Sequence, residues 1–246
     1  MKRTRSALGI IALIALGAGL GVFYMLLRTG PLVPEQDAVV ASVSADTVRV
    51  ALLEENGRAV EVVPTEVAAR TQFVFYPGGL VRPQAYTWLG VALAPLGVRT
   101  VIVEMPFDLA VLAPGRAQGW LEPSLPTVIG GHSLGGAMAA RYALNHPQDV
   151  VGLVLLASYP AESDDLSTLG FDTLVLAAEH DGLATLNEVR AGLARLPNPE
   201  FVQIDGAVHS FFGRYGPQQG DGVPTVTRAE AETAIVAALR AYFGRF

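Results

Sequence analysis

Residues 127–136 read TVIGGHSLGG, a short apolar run leading into Gly131-His132-Ser133-Leu134-Gly135. A G-x-S-x-G pentapeptide between a strand-like run and a helical pattern is the signature of a nucleophile elbow. The warrant is steric. Lifting a serine hydroxyl clear of a sheet edge needs a very tight turn. Side chains two residues to either side would collide there, so both positions require glycine. The pentapeptide alone is only moderately specific, and its surroundings carry the reading. Thr127, Val128 and Ile129 form a buried-strand run. Residues 137–144 (AMAARYAL) are mostly good helix formers, closed by Asn145, His146 and Pro147.

Outward from the elbow, the same alternation recurs. Residues 48–54 and 58–63 are apolar-rich runs joined through Asn56-Gly57, a strong hairpin signal. Further strands are predicted at 72–76, 100–104, 127–129, 151–157, 172–178 and 201–204. Helices are predicted at 84–96, 137–144, 185–196 and 227–243, with a partly helical stretch at 107–118. Thr185 with Glu188, and Thr227 with Glu230, form capping boxes that open the last two helices. Eight strands, a leading hairpin and then helices between the rest, bury their apolar runs economically in one way. That is an α/β fold with a mostly parallel eight-stranded sheet and helices on both faces.

An apolar fraction of 51% against 16% charged residues calls for a large core and excludes a disordered chain. The absence of cysteine excludes disulfides, a thiol nucleophile and cysteine metal sites, without deciding the compartment. Lys2, Arg3 and Arg5 precede a stretch free of charge from residue 6 to residue 27, closed by Arg28. At about 1.5 Å per residue such a helix covers the hydrocarbon core of a bilayer, and it exceeds the usual signal-peptide h-region. The expectation is a transmembrane anchor over 1–28 with its basic end cytoplasmic, a linker over 29–46, and an extracytoplasmic globular domain over 47–246. A cleaved signal, giving a secreted domain, is the rival. The chain carries a net charge of −6 even with four of its cations in the first 28 residues. The remainder is therefore strongly acidic, which argues against nucleic acid or anionic lipid as a partner.

In open α/β sheets, function sits in the loops beyond the carboxyl ends of the strands. Those loops supply Ser133, then Asp181, then His209, which is the chain order expected for this architecture. A serine hydroxyl is a weak nucleophile near neutrality, so an imidazole must accept its proton. A carboxylate on the other ring nitrogen then fixes the tautomer and stabilises the imidazolium. Of the four histidines, His132 adjoins the nucleophile and should point away from it. His146 closes a helix, and His180 shares a loop with the acid, which leaves His209 as base. Asp181 is preferred as the acid, with Glu179 and Asp205 as alternatives. A developing oxyanion needs donors, expected from the N–H of Leu134 and from the glycine loop Pro77-Gly78-Gly79-Leu80, at Gly79.

The segments FVFYPGGLVRPQAY, VEMPFDLAVL, GGHSLGG, LLASYPAES, AAEHDGL and VHSFFGRYGPQQGDG resemble small serine α/β-hydrolases without a large cap, of the carboxylesterase and dienelactone-hydrolase-like type. The resemblance runs from about Val48 to the carboxyl terminus. It implies an eight-stranded hydrolase fold and ester or related acyl substrates. Dienelactone hydrolases proper use a cysteine nucleophile, which this chain lacks.

Residues 158–171, where many relatives insert a cap, are too few for a substantial lid, so a shallow pocket and a small acyl ester are expected. Met105, Phe107, Tyr159 and Phe211 are candidate walls, with Pro106 and Phe212 beside them. No organic cofactor is implied, and no metal, because the histidines show no ligand spacing and the glycine loops no phosphate-binding pattern. A thioesterase or lactonase lies within the same class. A non-catalytic relative binding a ligand or partner is the reading from a different class. The oligomeric state is not legible, and the loop 214–226 has no chemical role assigned from sequence.

Overall fold

Asn56 and Gly57 turn the chain back between β1 (Val48–Leu53) and β2 (Ala59–Pro64), which pair antiparallel. Six more strands follow: β3 (Thr71–Tyr76), β4 (Val98–Val103), β5 (Thr127–His132), β6 (Gly152–Leu156), β7 (Asp172–Ala178) and β8 (Pro199–Ile204). They form one sheet of order β1-β2-β4-β3-β5-β6-β7-β8. β2 is antiparallel to β4, and every pair from β4 to β8 is parallel. The computed structural model describes residues 47–246, together with residues 16, 17 and 19–21, which are helical. Among the described residues no helix is long and apolar enough to cross a membrane. The expected anchor over 1–28 and linker over 29–46 otherwise lie outside them.

The parallel strands read as continuous apolar runs because both of their faces are covered. In β3, Phe73 and Phe75 face one core, with Leu89 and Leu93 of α1 (Thr87–Leu93). Leu239 and Tyr242 of the long carboxyl-terminal helix α4 (Arg228–Phe243) close the same core. Val74 and Tyr76 face the other, with Met138 and Tyr142 of α2 (Leu134–Asn145) and Val189 of α3 (Leu186–Gly192). Each fully buried large side chain contributes about 1.5–3 kcal/mol. Both capping boxes form, on Thr185 with Glu188 and on Thr227 with Glu230.

Two differences from the sequence reading matter for the site. Strand β5 continues through Gly130, Gly131 and His132, so the helix begins at Leu134 and the turn is confined to Ser133. In addition, the crossover from β4 to β5, read as partly helical over 107–118, contains no α-helix, while the one from β6 to β7 is a loop as the sequence reading has it. The first is three short 3-10 turns, where Pro106, Pro114, Pro123 and Pro126 interrupt longer helical runs.

Candidate active site

Ser133 sits at φ 52°, ψ −126°, a left-handed conformation that is strained for a residue with a side chain. The elbow imposes it. A Cβ on Gly131 would lie 2.5 Å from the backbone of Gly135. One on Gly135 would strike the carbonyl oxygens of Tyr76 and Pro77. The Ser133 N–H donates to Leu156 O at 3.0 Å, and the Ser158 hydroxyl donates to Ser133 O at 2.7 Å. The backbone is thereby held from both sides.

Strain is concentrated at this end of the sheet. Among the described residues six non-glycine residues have positive φ: Leu80, Phe107, Asp108, Ser133, Ala157 and Asn198. All but Asn198 follow the carboxyl ends of β3, β4, β5 and β6. Such conformations cost about 1–3 kcal/mol each and persist where surrounding structure enforces them, most often at functional sites.

Asp181 and His209 come together from the loops after β7 and β8. Asp181 Oδ2 is 2.8 Å from His209 Nδ1, and both side chains are almost wholly withdrawn from solvent. The other carboxylate oxygen accepts the N–H groups of Leu183 at 2.8 Å and Ala184 at 2.7 Å. A carboxylate only accepts, so this network assigns the imidazole proton to Nδ1 and leaves Nε2 with a bare lone pair. His209 Nε2 is buried and has no hydrogen-bond partner among the described residues, Ser133 Oγ included. The His209 ring packs against that of His132, the residue preceding the elbow serine, with centroids 4.5 Å apart.

His132 points away from the turn, into the core. The N–H of Gly78 donates to the Tyr86 hydroxyl at 3.0 Å, and that hydroxyl stands 2.8 Å from His132 Nδ1. The hydroxyl proton has no other acceptor among the described residues, which assigns it to Nδ1. Burial holds the His132 pKa well below the ordinary imidazole range, the neighbouring His209 ring adds to the depression, and the His209 backbone opposes it. His132 is thus a neutral strut at neutral pH.

The glycine loop after β3 leaves one amide unused. Gly78 N–H is engaged by Tyr86, and Leu80 N–H donates to Asp108 O at 2.8 Å. Neither Gly79 N–H nor Leu134 N–H has an acceptor among the described residues. The two residues are neighbours: a Cβ on Gly79 would sit 3.4 Å from the Leu134 side chain. Leu134 opens α2, so its amide is one of the helix's unsatisfied donors.

Beside Ser133 lies an open cavity of about 410 Å³, bounded by Leu134, Met138, Tyr159, Ala161, Leu183 and Ala184. Of the four walls expected from sequence, Tyr159 alone borders it. Met105 is packed in the core with Val74 and Met138. Phe211 is buried under the Arg228 guanidinium, 4.8 Å from its ring centroid. Phe107 projects into solvent, 76% exposed. Two larger depressions lie elsewhere, one around Leu121–Thr127 and one between α1 and α4, and neither contains Ser133, Asp181 or His209. Glu179 accepts from Gly206 N–H and Asp205 from Gln203, so neither alternative acid binds His209. Among the described residues no group of three or more His, Cys, Asp or Glu side chains could hold a metal ion.

A model of the alpha/beta hydrolase family matches residues 72–233, from β3 into α4 and across every loop just described. The chain belongs to the alpha/beta hydrolase family. Among solved structures, this hydrolase is similar in fold to a "predicted CIB-like hydrolase" from Thermoplasma acidophilum. The TM-score is 0.62, over 81% of this chain and 99% of that one, at 14% identity. That likeness bears on fold alone. A search of curated proteins finds no match.

Sequence reasoning missed the groups that hold the site rather than form it: Tyr86, Ser158, the amides of Leu183 and Ala184, and Asp221. Their only sequence signal is proximity to a loop already singled out. For Tyr86, Ser158 and Asp221 the partners in the site lie 12 to 46 residues away in the chain.

Proposed function

We propose that the protein is a serine hydrolase that cleaves small acyl esters through an acyl-enzyme. Ser133 is the nucleophile, His209 the base, and Asp181 the carboxylate that orients it. The supporting observation is a buried imidazole whose Nδ1 is committed to Asp181 while Nε2 stays bare, its ring packed on His132, the residue before a serine strained into an elbow.

The chemistry follows from that arrangement. Nε2 takes the hydroxyl proton as Ser133 attacks the acyl carbon, and the charge developing on the carbonyl oxygen is met by the free amides of Leu134 and Gly79. His209 returns the proton to the leaving alcohol. Water then enters by the same route and hydrolyses the acyl-serine. The apolar cavity beside Ser133 receives the acyl group.

The amino-terminal segment tethers the domain to a membrane. Val48 pairs with Pro64 at the far end of β2, which runs against β4, so the chain joins the domain at the amino-terminal edge of the parallel strands. The catalytic loops occupy the opposite edge, about 20 Å away for a six-residue strand.

A fluorophosphonate probe tests the reading. The wild type should be labelled and Ser133→Ala should not, and an unlabelled wild type would sink the proposal in favour of a binding module. Oxygen esters, thioesters and lactones offered side by side would rank the acyl substrates.

A further inference from the structure

The loop between Tyr215 and α4 bridges the two loops that carry Asp181 and His209. Asp221 Oδ1 accepts the N–H of His209 at 2.9 Å and that of Gly222 at 2.9 Å, and Oδ2 accepts the N–H of Ser210 at 2.9 Å. These amides include the first two of the 3-10 turn His209–Phe212, which no backbone acceptor satisfies within the turn. The other end of that turn is closed by a cation. Arg228, at the start of α4, donates to Ser210 O and Tyr215 O at 3.0 Å each and also to Gly213 O. Its guanidinium covers the ring of Phe211. An anion at the amino end and a cation at the carboxyl end match the dipole of the turn.

The same loop is wedged against the acid. A Cβ on Gly222 would collide with the carbonyl oxygen of His180, and one on Gly182 would collide with that of Gly220. The backbone on either side of Asp181 therefore packs directly on residues 220–222, with no space for intervening side chains. Movement of Asp221 would shift His209 relative to Asp181, because Asp221 touches the backbone of one and its loop touches the backbone beside the other.

We propose that Asp221 is a positioning residue for His209, fixing its backbone so that the ring keeps Nδ1 on Asp181 and Nε2 toward the elbow. The assignment rests on the catalytic reading above for its effect on turnover, but its structural part does not. Asp is suited to the role because both oxygens accept. In Asp221→Asn one oxygen can still serve His209 and Gly222, while the amide NH₂ opposes the N–H of Ser210.

The test uses the full chain with Asp221→Ala and Asp221→Asn, read by two independent measurements. The first is hydrolysis of p-nitrophenyl acetate. Asp221→Ala should lower kcat by about 10- to 100-fold with KM little changed, the effect expected of a displaced base, and Asp221→Asn should lie between it and the wild type. The second is the downfield proton resonance of the His209 Nδ1–H held by Asp181, identified by its loss in His209→Gln. It should vanish or move in Asp221→Ala and persist in Asp221→Asn. Asp205→Asn, an exposed carboxylate paired with Gln203, is the control and should match the wild type in both. Wild-type kcat and an unmoved resonance in a folded Asp221→Ala would overturn the assignment. If that variant does not fold, an Asp221→Asn indistinguishable from wild type in kcat would do the same. A wild type inert to esters whose resonance still responds to Asp221→Ala would refute the hydrolase reading and uphold the positioning role.

Discussion

His209 Nδ1 lies 2.8 Å from Asp181 Oδ2, and the remaining oxygen of that carboxylate is held by two backbone amides. The Asp181 carboxylate is therefore held in place independently of His209, as the proposed role of orienting carboxylate requires. This fixes the tautomer in which Nε2 can accept a proton, and it places a negative charge where an imidazolium would form.

Replacing Asp181 by Asn leaves the shape nearly unchanged but turns a pure acceptor into a group that can present N–H to Nδ1. The wrong tautomer then puts the proton on Nε2. Steady-state hydrolysis of an activated ester should show kcat reduced on the order of 10⁴-fold with KM nearly constant. Retention of activity within tenfold of wild type would rule Asp181 out as the orienting carboxylate.

Tyr86 joins the glycine loop after β3 to the elbow strand by accepting from Gly78 N–H and donating to His132 Nδ1. Tyr86→Phe removes both bonds and leaves two buried polar groups unpaired. About 1–3 kcal/mol of stability should be lost per orphaned group, measured by urea unfolding. Because Gly78 precedes the free amide of Gly79, kcat should fall by about tenfold even where the variant is fully folded. An unchanged kcat would detach this bond from catalysis.

Burial depresses the His132 pKa, so the unfolded chain takes up a proton at this ring below the ordinary value of 6.5 while the folded protein does not. Stability from the neutral ring is complete above that pH and lost as pH falls beneath it, by up to about 1.4 kcal/mol per unit. Denaturant unfolding at pH 7, 6 and 5 should show this slope, and His132→Gln should flatten it. Parallel slopes in the two proteins would contradict the assignment.

Ala161 is a half-buried wall of the cavity beside Ser133. Ala161→Phe should fill much of that space. Across a series of p-nitrophenyl esters, kcat/KM for butyrate and longer chains should drop by about tenfold or more, while acetate changes little. A uniform drop across the series would place the acyl group elsewhere.

The individual strands and helices of the α/β fold, the Asn56-Gly57 hairpin and the two capping boxes were legible in sequence because each depends on residues within one or two turns of each other. The elbow was legible in part for the same reason: Gly131 is kept from being larger by the backbone of Gly135 within the pentapeptide, whereas Gly135 is kept small by Tyr76 and Pro77, far away in the chain. The order of Ser133, Asp181 and His209, all in loops at one end of the strands, could likewise be read along the chain.

Which side chains reach the cavity could not. Met105 and Phe211 are apolar residues on the expected loops, yet packing against distant partners draws them inward and leaves Tyr159 at the wall. The supports behave alike. Tyr86 and His132 are 46 residues apart, and Asp221 meets His209 across 12, so their bonds exist only once the sheet has brought those loops together. Short-range sterics and hydrogen bonding write local structure into neighbouring residues. The partners of a buried polar group are chosen by the packing of the whole domain.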